Sequence, residues 1–147
     1  MAKAFIMCLW ISILCGPVFS QQQKKFEAQG YQETSTPVGK FFSSKLTLEN
    51  KFPFSDLVAV GDIVYLSGLV GIDEKGKLVK GGVIAETHAI FRQLKQHLAS
   101  QKLDLGHVVK CFVMLDDINH WGSFNKVYTR YFKPPYPIRS AMGVYGD

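Results

Sequence analysis

Pro134-Pro135-Tyr136-Pro137-Ile138-Arg139-Ser140-Ala141-Met142-Gly143-Val144 is the stretch on which the reading of this chain turns. Proline fixes its own φ, restricts the residue before it and carries no N–H, so the Pro134–Pro137 run reads as a stiff loop. The alternation from Ser140 to Val144 reads as a strand. Arg139 therefore stands at a junction between a rigid loop and a strand. A guanidinium fixed there can grip a carboxylate through two parallel hydrogen bonds, which a mobile surface arginine does poorly. A structural salt bridge or a solvated arginine fits the same position.

Working back from this stretch, the periodicities predict an α+β domain. Leu57-Val58-Ala59-Val60 and Ile63 to Ser67 flank Gly61-Asp62 and read as a hairpin. Phe41 to Glu49 reads as a further strand, and Asp73-Glu74-Lys75-Gly76 as a turn. Val83 to Ser100 has a helical period, with Val83, Thr87, Ile90, Phe91, Leu94 and Leu98 on one face and Glu86, Arg92, Lys95 and Gln96 opposite. Val108 to Leu115 reads as a buried strand. Asp116-Asp117 can cap a second helix, about Ile118 to Phe132, whose Trp121, Phe124, Tyr128 and Phe132 form an aromatic stripe of core type. Strands, helix, strand, helix, strand imply a sheet covered on one face by two helices.

The 147 residues leave room for one domain, and a composition 47% hydrophobic and 20% charged is that of a globular chain. The N-terminus reads as a targeting segment. Lys3 precedes an apolar run of 13 residues, Ala4 to Gly16, which is short for a bilayer span; Pro17 breaks it, and Val18-Phe19-Ser20 offers a small-x-small site before Gln21. The expected organisation is a signal over 1–20, a polar leader over 21–40 and a domain over 41–147. The expected location is secreted or periplasmic, with no stable membrane span after cleavage. The formal net charge of +5 includes Lys3, so residues 21–147 carry +4 from sixteen basic and twelve acidic side chains. The basic residues are scattered, which argues against a nucleic-acid stripe.

Cys8 and Cys15 fall in the signal, and Cys111 alone cannot make an internal disulfide. Within Val108–Leu115 it reads as a small buried hydrophobe. His88 and His97 lie nine residues apart on one helix, and neither they nor His107 and His120 show metal-ligand spacing, so no metal and no cofactor are expected. Ser67 lacks the pattern of a hydrolase triad. The glycines of Gly68-Leu69-Val70-Gly71 and Gly81-Gly82 do not form a phosphate loop.

Five segments in register carry a resemblance: Pro53-Phe54-Ser55, Val60 to Gly68, Asn125-Lys126-Val127-Tyr128, Tyr131-Phe132 and Pro137-Ile138-Arg139-Ser140. In order and spacing they resemble the Rid family, the RidA/YjgF-type reactive-intermediate deaminases that also bear the label endoribonuclease L-PSP. The resemblance implies a fold like trimeric bacterial chorismate mutase, a mixed sheet with two helices on one face, assembled as a homotrimer with ligand clefts between subunits. It implies hydrolysis of reactive 2-enamines and 2-imines of amino acids to 2-keto acids and ammonia. Arg139 matches the carboxylate-binding arginine, Phe54 and Ser55 the Tyr-Ser pair at the cleft, Ser67 and Gly68 the Ser-Gly corner, and Asn125 the asparagine of the second helix. Ala141 stands where the family's backbone faces the ligand.

Two departures accompany the match. Phe54 replaces the family's tyrosine. The family's catalytic glutamate lies on a final strand after the arginine, beyond Asp147, so no catalytic residue is assigned and the chain is read as C-terminally incomplete. Three functions stay open: an exported imine deaminase, a silent Rid-fold protein that binds small carboxylates or serves as an interaction module, and a ribonuclease. The ribonuclease is disfavoured, because phosphodiester binding calls for clustered cations.

Overall fold

Leu57–Val60 and Ile63–Leu66 do form a hairpin, with Leu57 opposite Leu66 and Val60 opposite Ile63. Gly61 makes the turn possible with φ of 57°, a region that costs a side chain but not glycine. The computed structural model describes residues 30–144, together with the backbone of Ala4–Ile6 and Trp10–Ser12. Apart from these two short backbone stretches, the expected signal and the first part of the leader lie outside the described residues.

In chain order the strands are β1 (Ala4–Ile6), β2 (Trp10–Ser12), β3 (Tyr31–Thr36), β4 (Gly39–Ser44), β5 (Leu57–Val60), β6 (Ile63–Leu66), β7 (Leu69–Val70), β8 (Lys110–Leu115) and β9 (Ile138–Gly143). The helices are α1 (Lys45–Glu49), α2 (Gly82–Ser100) and α3 (Trp121–Tyr131). One sheet has the order β2-β6-β5-β4-β3 and is antiparallel throughout; the other has the order β7-β1-β8-β9, with β8 and β9 parallel. β6 and β7 are separated only by Ser67-Gly68, so this dipeptide is the corner where the chain passes from one sheet to the other.

Three expectations need correction. Tyr31–Thr36, placed in the polar leader, pairs along its whole length with Gly39–Ser44 and supplies an edge strand. Its alternating Thr and Ser residues suit an edge with one solvated face. Phe41 to Glu49 is not one strand. The Ser44 hydroxyl accepts a hydrogen bond from the Thr47 N–H and starts α1. Glu86, assigned to the polar face of α2, is buried. The bend after β7 passes so close that a Cβ on Gly71 would lie 2.5 Å from the Glu86 Cβ.

The core lies between the sheets and α2 and α3. Phe42, Leu57, Ile90, Phe91, Leu94, Leu98, Val113, Leu115 and Phe124 are essentially inaccessible. Each such side chain stabilises the fold by roughly 1.5–3 kcal/mol relative to exposure. β8 alternates Cys111, Val113 and Leu115 into this core. Asp117 caps the short 3-10 turn Ile118–His120 through the Asn119 N–H, and that turn leads directly into α3.

Candidate functional site

The register of the parallel pair decides where Arg139 points. Cys111 lies opposite Arg139 and Val113 opposite Ala141, so these residues of β9 share the helix-covered face of the sheet. The strand is held at its start by the Ile138 N–H donating to the Val109 carbonyl at 2.9 Å. Before it, the loop contains the Pro134–Pro135 peptide in the cis form.

α3 brings its aromatic stripe beneath the arginine. The guanidinium carbon lies 4.3 Å from the centre of the Trp121 ring, 4.4 Å from Tyr128 and 5.7 Å from Phe124. These are cation–π distances. Arg139 Nη1 is shielded from solvent and has no hydrogen-bond partner among the described residues. An open cleft of about 970 Å³ lies here, lined by Ile118, Asn119, Trp121, Asn125, Tyr128, Thr129, Tyr136, Pro137, Arg139 and Ala141. Among the described residues that line it, Arg139 is the only charged one. The described cleft therefore presents a half-buried cation with an unused donor, amide groups from Asn119 and Asn125, and aromatic walls.

Tyr128 ties this cleft to the core. Its hydroxyl donates to the Cys111 Sγ at 3.9 Å, a sulfur contact, and its ring packs on Phe91, Phe124 and Phe132. Burial pushes the Tyr128 phenol up, and the charge of Arg139 only partly offsets this. Burial likewise pushes the Cys111 thiol up to about 11, so the cysteine is a protonated core residue, as its strand context predicts.

Of the sequence-predicted site residues, Arg139, Asn125 and Ala141 share this cleft. Phe54, Ser55, Ser67 and Gly68 do not line it; they form a second group at the corner between the sheets. There the Ser67 hydroxyl donates to the Ser55 carbonyl at 2.6 Å, and the Ser67 N–H donates to the Asp56 carbonyl. Phe54 is 50% exposed and stacks on Phe52 at 5.4 Å between ring centres. A small enclosed cavity of about 10 Å³, lined by Ser67, Cys111, Phe124 and Tyr128 among others, lies between the two groups. Sequence reasoning assigned Trp121 and Tyr128 to the core alone. Their spacing of seven residues on one helical face was the available signal, but nothing local in the sequence shows that Arg139 crosses that face.

Among the described residues, no three histidine, cysteine, aspartate or glutamate side chains gather as a metal site. No helix of the described residues is long and apolar enough to cross a membrane. A further polar group lies where β3, β4 and α1 meet α2. Tyr31 Oη and His97 Nδ1 are 2.7 Å apart, and the Asp56 carboxylate accepts from the Ser44 N–H and the Thr47 hydroxyl. Burial holds His97 below its ordinary value, with Asp56 pulling the other way.

Comparison with known proteins agrees with the fold. The family model described as endoribonuclease L-PSP matches residues 45–146. The chain belongs to this family, the Rid family of RidA-type proteins. It is 39% identical over 93 residues to the 2-iminobutanoate/2-iminopropanoate deaminase of Mus musculus, covering 63% of this chain and 69% of that one. The Homo sapiens protein of the same name is 38% identical, with 63% and 68% covered. Among solved structures, RidA from an Antarctic Psychrobacter superposes with a TM-score of 0.61 at 33% identity, covering 63% of this chain and 76% of that one.

Proposed function

We propose that the Arg139 cleft binds the carboxylate of a small 2-imino or 2-enamino acid and that the protein hydrolyses it to the 2-keto acid and ammonia. The observation that carries this reading is the shielded Nη1 of Arg139, unpartnered among the described residues, in a cleft whose other described lining residues carry no charge. A buried donor without an acceptor costs about 1–3 kcal/mol, and an incoming carboxylate would recover that cost. The relatives named as imine deaminases support the reaction. Hydrolysis adds one water across the C=N bond and releases ammonia. Arg139 would hold the carboxylate end and so fix the neighbouring imine carbon.

The separation of Phe54, Ser55, Ser67 and Gly68 from the Arg139 cleft supports a homotrimer in which the corner of one subunit completes the cleft of the next. Light scattering tests this: three subunits are expected, and a clean monomer at micromolar concentration would count against it. Export is part of the proposal, supported by Lys3, the Ala4–Gly16 run and Val18-Phe19-Ser20. Cleavage before Gln21 would remove β1 and β2 as well, and N-terminal sequencing of the secreted protein decides the matter.

One observation favours a second reading. Phe54 offers no hydroxyl where the resemblance expects tyrosine, which suits a protein that binds carboxylates without turning over imines. Titration with 2-oxobutanoate, alongside ammonia release from an imine generated in place, separates the two. Binding and release that both depend on Arg139 support the deaminase; binding without release selects the silent form.

A further inference from the structure

We propose that Trp121 is the positioning residue for Arg139, fixing the guanidinium by its ring face so that the N–H donors stay free for the ligand. The inference rests on the carboxylate reading above and extends it to the residue that presents the arginine.

A flexible arginine must be held if it is to bind with little entropy loss. A neighbouring carboxylate would hold it, but would also consume its donors and neutralise its charge. An aromatic face holds a cation without accepting its N–H groups in salt-bridge geometry. The structure shows the second solution: the guanidinium carbon is 4.3 Å from the Trp121 ring and 4.4 Å from Tyr128, while Nη1 has no partner among the described residues. Among the described residues, no aspartate or glutamate lines the cleft.

The two rings differ in what else they do. Tyr128 is buried and packs on Phe91, Phe124 and Phe132, so replacing it would disturb the core. Trp121 is half-buried at the N-terminal end of the stripe, stacked on Phe124 at 5.8 Å. Its outer part lines the cleft beside Asn119 and Asn125. Trp121 is thus the ring whose replacement reports on the arginine rather than on the fold. Indole also has the strongest ring quadrupole of the aromatic side chains, which suits this position.

The experiment uses the full chain with Trp10→Phe, which leaves Trp121 as the only indole. Affinity for 2-oxobutanoate is measured by calorimetry in every form, with indole emission as a second readout where Trp121 is retained, and melting temperature is recorded for each variant. Trp121→Leu should bind about tenfold more weakly while staying folded, and Trp121→Phe should recover most of that, to within about threefold. Rescue by another aromatic ring is the signature that a merely space-filling role would not give. Equal affinity in all three folded forms overturns the inference. If the leucine variant does not fold, Trp121→Phe carries the test: a two- to threefold loss supports it and no loss overturns it. Arg139→Lys in the same titration separates the two levels. No loss there overturns the carboxylate reading and the inference with it; a loss there with no Trp121 effect overturns the inference alone.

Discussion

Two polar groups of this molecule are built on opposite principles. Around Asp56 the polar atoms meet: its carboxylate takes the Ser44 N–H and the Thr47 hydroxyl, and Tyr31 closes on His97. Around Arg139 they do not meet. The cation rests on aromatic rings, and Nη1 is shielded with no acceptor among the described residues. A satisfied network spends its hydrogen-bonding capacity on the fold, whereas an unsatisfied buried donor retains it for a visitor. Both groups contain residue types that catalyse reactions elsewhere, so residue type alone does not separate them. The difference is in the count of partners.

Exchanging the two behaviours is the direct way to test this contrast. Arg139→Lys should cost roughly 2–4 kcal/mol in affinity for 2-oxobutanoate, because a point charge cannot reproduce the planar fork. Its melting temperature should move little. Calorimetric titration of the folded variant checks this, and undiminished affinity would remove the clamp. Asp56→Ala should do the reverse. It strands the Ser44 N–H and the Thr47 hydroxyl and should destabilise the fold by about 2–3 kcal/mol, measured by urea unfolding. Ligand affinity of the remaining folded protein should be unchanged; a loss there would mean the groups are not independent.

The sequence carried the elements of this contrast unevenly. The hairpin around Gly61-Asp62 and the long helix α2 were legible because period and turn chemistry are local. Arg139 was legible because prolines immobilise its approach. Asn125, Ser67 and Gly68 were reached through the resemblance. Tyr31 was not legible as sheet: Thr, Ser, Gln and Glu around it read as a solvated leader, and only pairing with Gly39–Ser44 makes them a strand. The helical wheel misplaced Glu86, because the chain at Gly71 packs over that side of α2. The role of Trp121 depends on a contact between residues eighteen positions apart that only the β8–β9 pairing creates.

A smaller effect should appear with pH on the satisfied side alone. Burial disfavours the charged imidazole of His97, so its folded value lies below the ordinary 6.5. Below that pH the unfolded chain takes up a proton that the folded chain refuses. The His97 contribution is therefore intact above about pH 6.5 and declines as the pH falls, by at most about 1.4 kcal/mol per pH unit. Urea unfolding between pH 5 and pH 8 checks the slope. His97→Gln should flatten it while leaving 2-oxobutanoate affinity unchanged. Tyr31→Phe should cost about 1 kcal/mol at pH 8, the value of one hydrogen bond. A slope that survives His97→Gln would assign it to another group.

The smallest effect belongs to Phe54, and it sharpens the comparison from the corner between the sheets. The ring is 50% exposed and stacked on Phe52, so a hydroxyl added to its edge reaches solvent without displacing a neighbour. Phe54→Tyr should change stability by no more than about 0.5 kcal/mol, the scale of surface substitutions. Phe54 does not line the Arg139 cleft of its own chain, so carboxylate affinity should stay within about twofold. Turnover is the informative readout. The new hydroxyl supplies a donor and acceptor that phenylalanine cannot, and under the deaminase reading imine hydrolysis should rise without a matching gain in affinity. Ammonia release measured beside calorimetric binding resolves the two. A rise in turnover alone would assign the corner to the chemistry and Arg139 to binding. Unchanged turnover would favour the silent carboxylate binder. A fall in carboxylate affinity would show that the two groups already act on one ligand end.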